Sequence, residues 1–263
     1  MHGQESGVGG RPAAVPATRA DLPIPRTMSL AVDRVTELSP SLREIGLAGE
    51  DLLGFKFLPG QDLMLRLPLG HDEVVSRRYT IRRADPALGR AELNVVMHGD
   101  GPAARWAGAV SPGDRLAEVV GPRGKITLDS SAGWHLFLGD ETYIPGTLAL
   151  LEALPGGAAA RAFLEIPSAA DQQPVPAADA IRVEWLVRGD RPPGEPGLLL
   201  EALRGWQQPE GLGHVYIAAE VRVALALRDE LVGRGLAREQ ISAKGYWDRR
   251  RANASRGEPD EPA

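Results

Sequence analysis

Four arginines crowd into the seven residues Arg77-Arg78-Tyr79-Thr80-Ile81-Arg82-Arg83, around one aromatic ring and one hydroxyl. A guanidinium forks onto phosphate or carboxylate oxygens, and a tyrosine offers a flat face on which a ring can stack. On an extended chain Arg77, Tyr79, Ile81 and Arg83 are expected to point one way, and Arg78, Thr80 and Arg82 the other. The chain as a whole is acidic, with 30 Lys+Arg against 35 Asp+Glu. So dense a run of arginines in such a chain points either to a bound anion or to a solvated basic strand paired with carboxylates.

A second candidate follows at His98-Gly99-Asp100-Gly101-Pro102-Ala103-Ala104-Arg105-Trp106. A Gly-Pro step before two alanines is the pattern of a loop entering a short helix. The first-turn N–H groups of such a helix have no partner within it and suit a pyrophosphate. His98 fits a loop hydrogen-bonder better than a catalyst. No second histidine stands at metal-ligand spacing, so no metal site is expected.

Two kinds of element must position these residues. From Ser29 to about Leu128 apolar residues alternate in short runs, such as Leu63, Leu65 and Leu67, or Leu93, Val95 and Met97. Turn signals separate them at 58–60, 84–86, 111–114 and 121–124, which is the rhythm of an antiparallel barrel or sandwich. After Ser130-Ser131-Ala132-Gly133 the rhythm changes. Strands are expected at Trp134–Gly139, 162–166, 181–187, 214–219 and 241–243. Helices are expected after Asp140, over 198–206 and over 220–232. Alternating strands and helices make a parallel sheet covered on both faces. Gly139-Asp140-Glu141-Thr142 then falls at the C-terminal end of the first parallel strand, where open sheets of this kind bind ligands. It is not a G-x-G-x-x-G fingerprint.

Composition narrows the function classes. A length of 263 residues suits two domains of roughly 100–150 residues. With 43% apolar and 25% charged residues the chain can bury a core, which excludes wholesale disorder. A net charge of -5 argues against a nucleic-acid partner. The absence of cysteine removes disulfides, thiolate metal sites and cysteine nucleophiles together. No apolar run approaches the ~18 residues of a membrane helix, and Met1 to Arg26 lacks a signal-peptide core. No membrane partner and a cytoplasmic location are the expectation.

Taken together, these blocks resemble the siderophore-interacting protein family, FAD-containing ferric-siderophore reductases within the ferredoxin-reductase-like superfamily. Arg77-x-Tyr79-Thr80-x-Arg82 matches the family's flavin motif. His98 to Trp106, Gly121-Pro-Arg-Gly124, Gly139-Asp-Glu-Thr142 and Lys244-Gly-Tyr-Trp247 follow in the family's order. The resemblance implies an N-terminal antiparallel six-stranded FAD-binding β-barrel over 27–130. A C-terminal parallel-sheet, nicotinamide-binding-like α/β domain would cover 131–252, with loose tails at 1–26 and 253–263. It implies that Arg77 contacts the FAD phosphates with help from Arg82, that Tyr79 stacks on the isoalloxazine and that Thr80 lies near its N5 edge. Gly101, Pro102, Ala103 and Ala104 would cradle the pyrophosphate, with His98 in the same loop, and Asp140 and Thr142 would belong to the nicotinamide loop.

The implied activity is reduction of Fe(III) in a ferric siderophore, with electrons from NADPH, NADH or a protein carrier. Two alternatives stand beside it: a biosynthetic enzyme, such as a cyclase, with redox-neutral FAD, and a flavin- or siderophore-binding protein without turnover. Tyr143-Ile144-Pro145-Gly146 stands where the family usually has Ala-Leu-Pro-Ala, and Ala219 stands where it usually has glycine. Either the nicotinamide site has drifted and still works, or it has been lost.

Overall fold

The computed structural model describes residues 23–70, 73–97 and 101–250. Residues 1–22 and 253–263 of the expected tails lie outside the described residues, as do His98, Gly99 and Asp100. Arg26, assigned above to a tail, already begins the first strand.

Six strands build the first unit: β1 (Arg26–Ser39), β2 (Leu42–Ala48), β3 (Asp62–Gly70), β4 (Glu73–Asp85), β5 (Arg90–Val96) and β6 (Arg115–Arg123). They close an antiparallel barrel in the order β1-β2-β5-β4-β3-β6. Period-two alternation places Leu63, Leu65, Leu67, Leu93 and Val95 in its interior, almost wholly removed from water. The short helix α1 (Pro102–Ala109) lies between β5 and β6 in sequence, and its Trp106 and Ala107 pack against that core.

The arginine run lies on β4, and there the expected alternation breaks. Ile81 pairs with Leu93 while Arg83 pairs with the adjacent Glu92, so Arg82 is an extra residue on its strand. Such a β-bulge resets which face the following side chains take. Arg82 and Arg83 consequently reach the same carboxylate instead of opposite faces.

The second unit runs β7 (Trp134–Gly139), α2 (Ile144–Glu152), β8 (Ala159–Ile166), β9 (Ile181–Val187), α3 (Gly197–Gly205), β10 (Gly213–Glu220), α4 (Val221–Gly233) and β11 (Ile241–Trp247). Its strands form a parallel sheet in the order β11-β10-β7-β8-β9. Every residue of β7 and β10 is buried, as a central strand covered on both faces requires. Leucines of α3 and α4 cover one face and those of α2 cover the other. β11 runs four residues past the expected end. Lys244 and Gly245 interrupt its apolar pattern, yet its ladder with β10 continues to Trp247.

The chain leaves β7 for β8 and β9 on one side, then returns to β10 and β11 on the other. The topological switch point therefore lies between β7 and β10. Helix α2 lies against β4 of the barrel. A second tie between the units is Asp171, which accepts hydrogen bonds from the hydroxyls of Ser39 and Ser41 at 2.8 and 2.7 Å. Among the described residues no helix is long and apolar enough to cross a membrane.

Candidate functional site

Strand β4 presents different chemistry on its two faces. Tyr79 packs against the barrel core, with its ring 6.4 Å from that of Trp106 on α1 and tilted by 31°. Its hydroxyl is buried and has no hydrogen-bond partner among the described residues. Burial pushes the phenol pKa well above its ordinary value. Arg77 lies close enough to feel Tyr79 electrostatically, and its guanidinium donates to the Ser76 carbonyl at 2.8 Å.

The Tyr79–Trp106 contact brings α1 to the same place. Gly101 is the N-cap of α1 and Pro102 stands at its start, and among the described residues no side chain caps the first turn. A methyl group added to Gly101 would meet nothing within 4 Å. An orphaned buried phenol, a guanidinium and an uncapped helix start, with Ala103 and Ala104 in its first turn, fit a ring joined to a diphosphate.

The opposite face of β4 meets the second unit. Arg78 forks onto Asp62 of β3 through two hydrogen bonds of 2.8 Å each. Thr80 is buried and shares a hydrogen bond with the phenol of Tyr246 on β11. Burial pushes that phenol up to about 12. Beside them opens a cleft of about 460 Å³ whose walls include Arg78, Arg123, Lys125, Lys244 and Asp62. The ammonium of Lys244 stands 3.9 Å from Asp62 and 5.4 Å from the Tyr246 ring centre.

Arg82 is not turned toward α1. Its guanidinium donates to Glu152, the last residue of α2, at 2.8 and 2.6 Å, and Arg83 joins the same carboxylate at 2.7 Å. Hydrogen bonds from Arg82 and then Arg83 outweigh partial burial and draw Glu152 down to about 2.

Asp140 and Thr142 are bound to each other. Asp140 accepts from the Thr142 N–H at 3.0 Å and from its hydroxyl at 2.5 Å, capping the turn that leads into α2. The other Asp140 oxygen accepts from the Glu220 N–H at 3.0 Å and the Trp247 indole at 2.8 Å. Burial and the neighbouring Glu141 carboxylate push Asp140 far above the usual carboxylate range.

Next to it the Tyr143 ring is fully buried, edge-on to Tyr246 with centroids 5.7 Å apart. The Tyr143 ring leaves room for no side chain on two neighbours. A Cβ at Gly139 would lie 2.8 Å from Tyr143, and one at Gly146 would lie 2.7 Å from it. Ala219 does not narrow this crevice, because it belongs to the core beneath α3 and α4.

Several partners escape the sequence reading. Glu152, Asp62 and Asp171 hold the site through contacts more than ten residues apart in sequence. So do Glu141 and Glu165, the buried partners of Arg188 at 2.8 and 2.9 Å. A lone carboxylate on a helix or loop carries no local mark of such a role. Only the rule that a buried guanidinium needs a partner could have called for them. Among the described residues no group of three or more His, Asp or Glu side chains is arranged to hold a metal ion.

Comparison with known proteins agrees with the architecture. The model described as siderophore-interacting FAD-binding domain matches residues 68–126, and the model described as siderophore-interacting protein matches 132–250. Ferric vibriobactin reductase ViuB of Vibrio cholerae is 31% identical over 81% of this chain and 86% of its own. An uncharacterized Mycobacterium tuberculosis protein is 35% identical over 66% of this chain, and the match spans 65% of that relative's length. The crystal structure of a siderophore utilization protein from T. fusca superposes with a TM-score of 0.80 at 30% identity, covering 89% of this chain and 97% of that one. The two-unit fold, the two family matches in series and the ViuB likeness over most of both chains lead to one assignment: the chain is a flavoprotein of the siderophore-interacting protein family.

Proposed function

We propose that this chain is an FAD-dependent reductase of Fe(III) held in an anionic siderophore-type chelate. The observation that carries the reading is the cleft where Arg78, Arg123, Lys125 and Lys244 converge on the Thr80 face of β4. A hard-oxygen ferric chelate carries negative charge, and a walled cationic cleft concentrates such a ligand. ViuB is by name a ferric vibriobactin reductase, which supports the same reading.

Arg77 and the first turn of α1, from Gly101 to Ala104, would hold the FAD diphosphate, and Tyr79 would lie against the flavin ring. Thr80, fixed by Tyr246, would orient the ring edge toward the cleft. Bound FAD, once reduced by an external donor, would supply two electrons singly, enough to convert two Fe(III) chelates to Fe(II). The protein's part is to hold donor and acceptor at the junction. Asp62 keeps Arg78 and Lys244 in place, and Arg82 with Glu152 keeps α2 against β4. Ferrous iron binds hard oxygen ligands more weakly, so the chelate releases it.

The test uses the yellow protein reduced anaerobically with dithionite, freed of excess reductant, and mixed with a ferric siderophore and a ferrous-specific chelator. Return of the oxidised flavin spectrum with matching Fe(II) formation is expected. A reduced spectrum that persists in the presence of the ferric chelate rejects the reading. A second reading, redox-neutral catalysis around a structural flavin, is favoured by the filled crevice at Tyr143 and would then take its place.

A further inference from the structure

The crevice at the switch point between β7 and β10 is where a parallel sheet of this kind accepts a dinucleotide. Such a ligand needs a slot for its ring and positive helix N-termini for its phosphates. Here the ring slot, the turn ahead of α2 and the start of α4 are already filled by the chain itself.

The ring slot holds Tyr143. Its side chain is 1% exposed, lies between Gly139 and Gly146 and meets Tyr246 edge-on. Among the described residues its buried hydroxyl has no hydrogen-bond partner, and the ring is held by packing. Gly146 faces Thr80 as well: a Cβ on Gly146 would lie 3.6 Å from the Thr80 hydroxyl. The Tyr143 ring thus stands between the sheet and the part of β4 assigned above to the flavin edge.

The turn ahead of α2 and the start of α4 are capped from within. Asp140 accepts from the Thr142 N–H ahead of α2. Glu220, fully buried, accepts from the Arg222 and Val223 N–H groups at 2.6 and 3.3 Å, capping α4. The other Glu220 oxygen accepts from the Arg249 N–H at 3.3 Å, and Gly194 lies against its stem: a Cβ on Gly194 would lie 3.0 Å from the Glu220 Cγ and 2.9 Å from the Trp247 indole. Asp140, Glu141 and Glu220 thus place carboxylates where a dinucleotide would bring its diphosphate. Arg188 is bound to Glu141 and Glu165.

We infer that this chain has no nicotinamide-dinucleotide site: the Tyr143 ring plugs the switch-point crevice, where Asp140 caps the turn ahead of α2 and Glu220 caps the start of α4. The inference rests on the reductase reading only for what an open crevice would have served. Electrons then reach the flavin from a donor that does not enter the sheet crevice, such as a protein carrier.

Calorimetric titration of the FAD-loaded protein with NADP+ and with NAD+ tests this without turnover. No saturation is expected up to about 1 mM, the weak end of the range in which working enzymes bind substrate. Tyr143→Phe, which keeps the plug, should bind as poorly. Tyr143→Ala should tighten binding of at least one nucleotide by tenfold or more while retaining FAD. Saturation of the wild type in the micromolar range would overturn the inference, and so would a folded, FAD-loaded Tyr143→Ala that binds no better. If Tyr143→Ala does not fold, the wild-type and Tyr143→Phe titrations decide the matter. The dithionite experiment above uses no nucleotide, so failure of the reductase reading would be seen separately.

Discussion

Arg82 of the barrel and Glu152 of the second unit are joined by two parallel hydrogen bonds of 2.8 and 2.6 Å, although 70 residues separate them in sequence. The bulge at Arg82 makes this pairing available, because it brings Arg82 and Arg83 to one carboxylate. Arg82 is almost fully buried whereas Glu152 is one-third exposed. The pair therefore combines a desolvated cation with a partly solvated anion at the junction. Removing the carboxylate would leave the guanidinium buried without its partner, which costs more than the pair itself contributes.

Glu152→Ala is accordingly expected to destabilise the protein by about 2 kcal/mol, near the value of hydrogen bonds to charged groups. Arg82→Ala together with Glu152→Ala should cost less than the two single changes added. Urea unfolding of all three variants measures this. Strict additivity would show that the pair is not coupled. The pH dependence has a defined sign. Glu152 is held near 2 in the folded state against an ordinary 4.5, so its contribution is present above about pH 4.5 and fades as pH falls toward 2.

His135 predicts a second acid-sensitive step. It is buried beneath Phe137 and Tyr216 and lies 3.3 Å from the Tyr216 hydroxyl. Burial, and then the charge of His214, bring its pKa down from 6.5 to about 4. The folded state therefore prefers the neutral ring. Its stabilising effect is complete above pH 6.5 and is lost as pH falls toward 4. The melting temperature should drop across that window, and His135→Gln should flatten the drop. Equal slopes in the two proteins would assign the loss to other groups.

Arg77→Ala should purify with less FAD and bind added FAD about tenfold to a hundredfold more weakly, since a hydrogen bond to a charged group contributes about 1.5–3 kcal/mol. Arg82→Ala, whose guanidinium is held by Glu152, should keep FAD affinity within about threefold, a difference below 1 kcal/mol. Fluorescence titration of the apoprotein distinguishes them. Equal losses in both variants would return Arg82 to the phosphate site.

Lys244→Ala tests the cleft. Loss of one cation from its wall should raise the KM for an anionic ferric chelate severalfold while leaving FAD content unchanged. The KM itself should rise with salt, because screening weakens the attraction between the cleft and an anion approaching through solvent. A KM independent of both Lys244 and salt would place the chelate elsewhere.

Local chemistry along the sequence determined much of this protein. Leu63, Leu65 and Leu67 alternate, and that alone makes β3 a strand with one face in a core. The nearly continuous apolar run from Trp134 to Gly139 makes a central parallel strand, and Asp140 followed by Pro145 starts the helical segment after it. The arginine-tyrosine-threonine spacing marked β4 as a candidate site, since periodicity and side-chain chemistry are properties of neighbours in sequence.

The tertiary structure decided the rest. Whether Arg82 faces a phosphate or Glu152 depends on a bulge created by pairing with β5, and no residue within β4 encodes that register by itself. Whether Tyr143 fills a crevice depends on Tyr246, which only the pairing of β11 into the parallel sheet brings edge-on to it. The reach of β11 through Lys244 and Gly245 to Trp247 was likewise set by its ladder with β10 rather than by its own apolar pattern. Burial, pairing and register arise between segments far apart in sequence, so they become definite only once the two units close against each other.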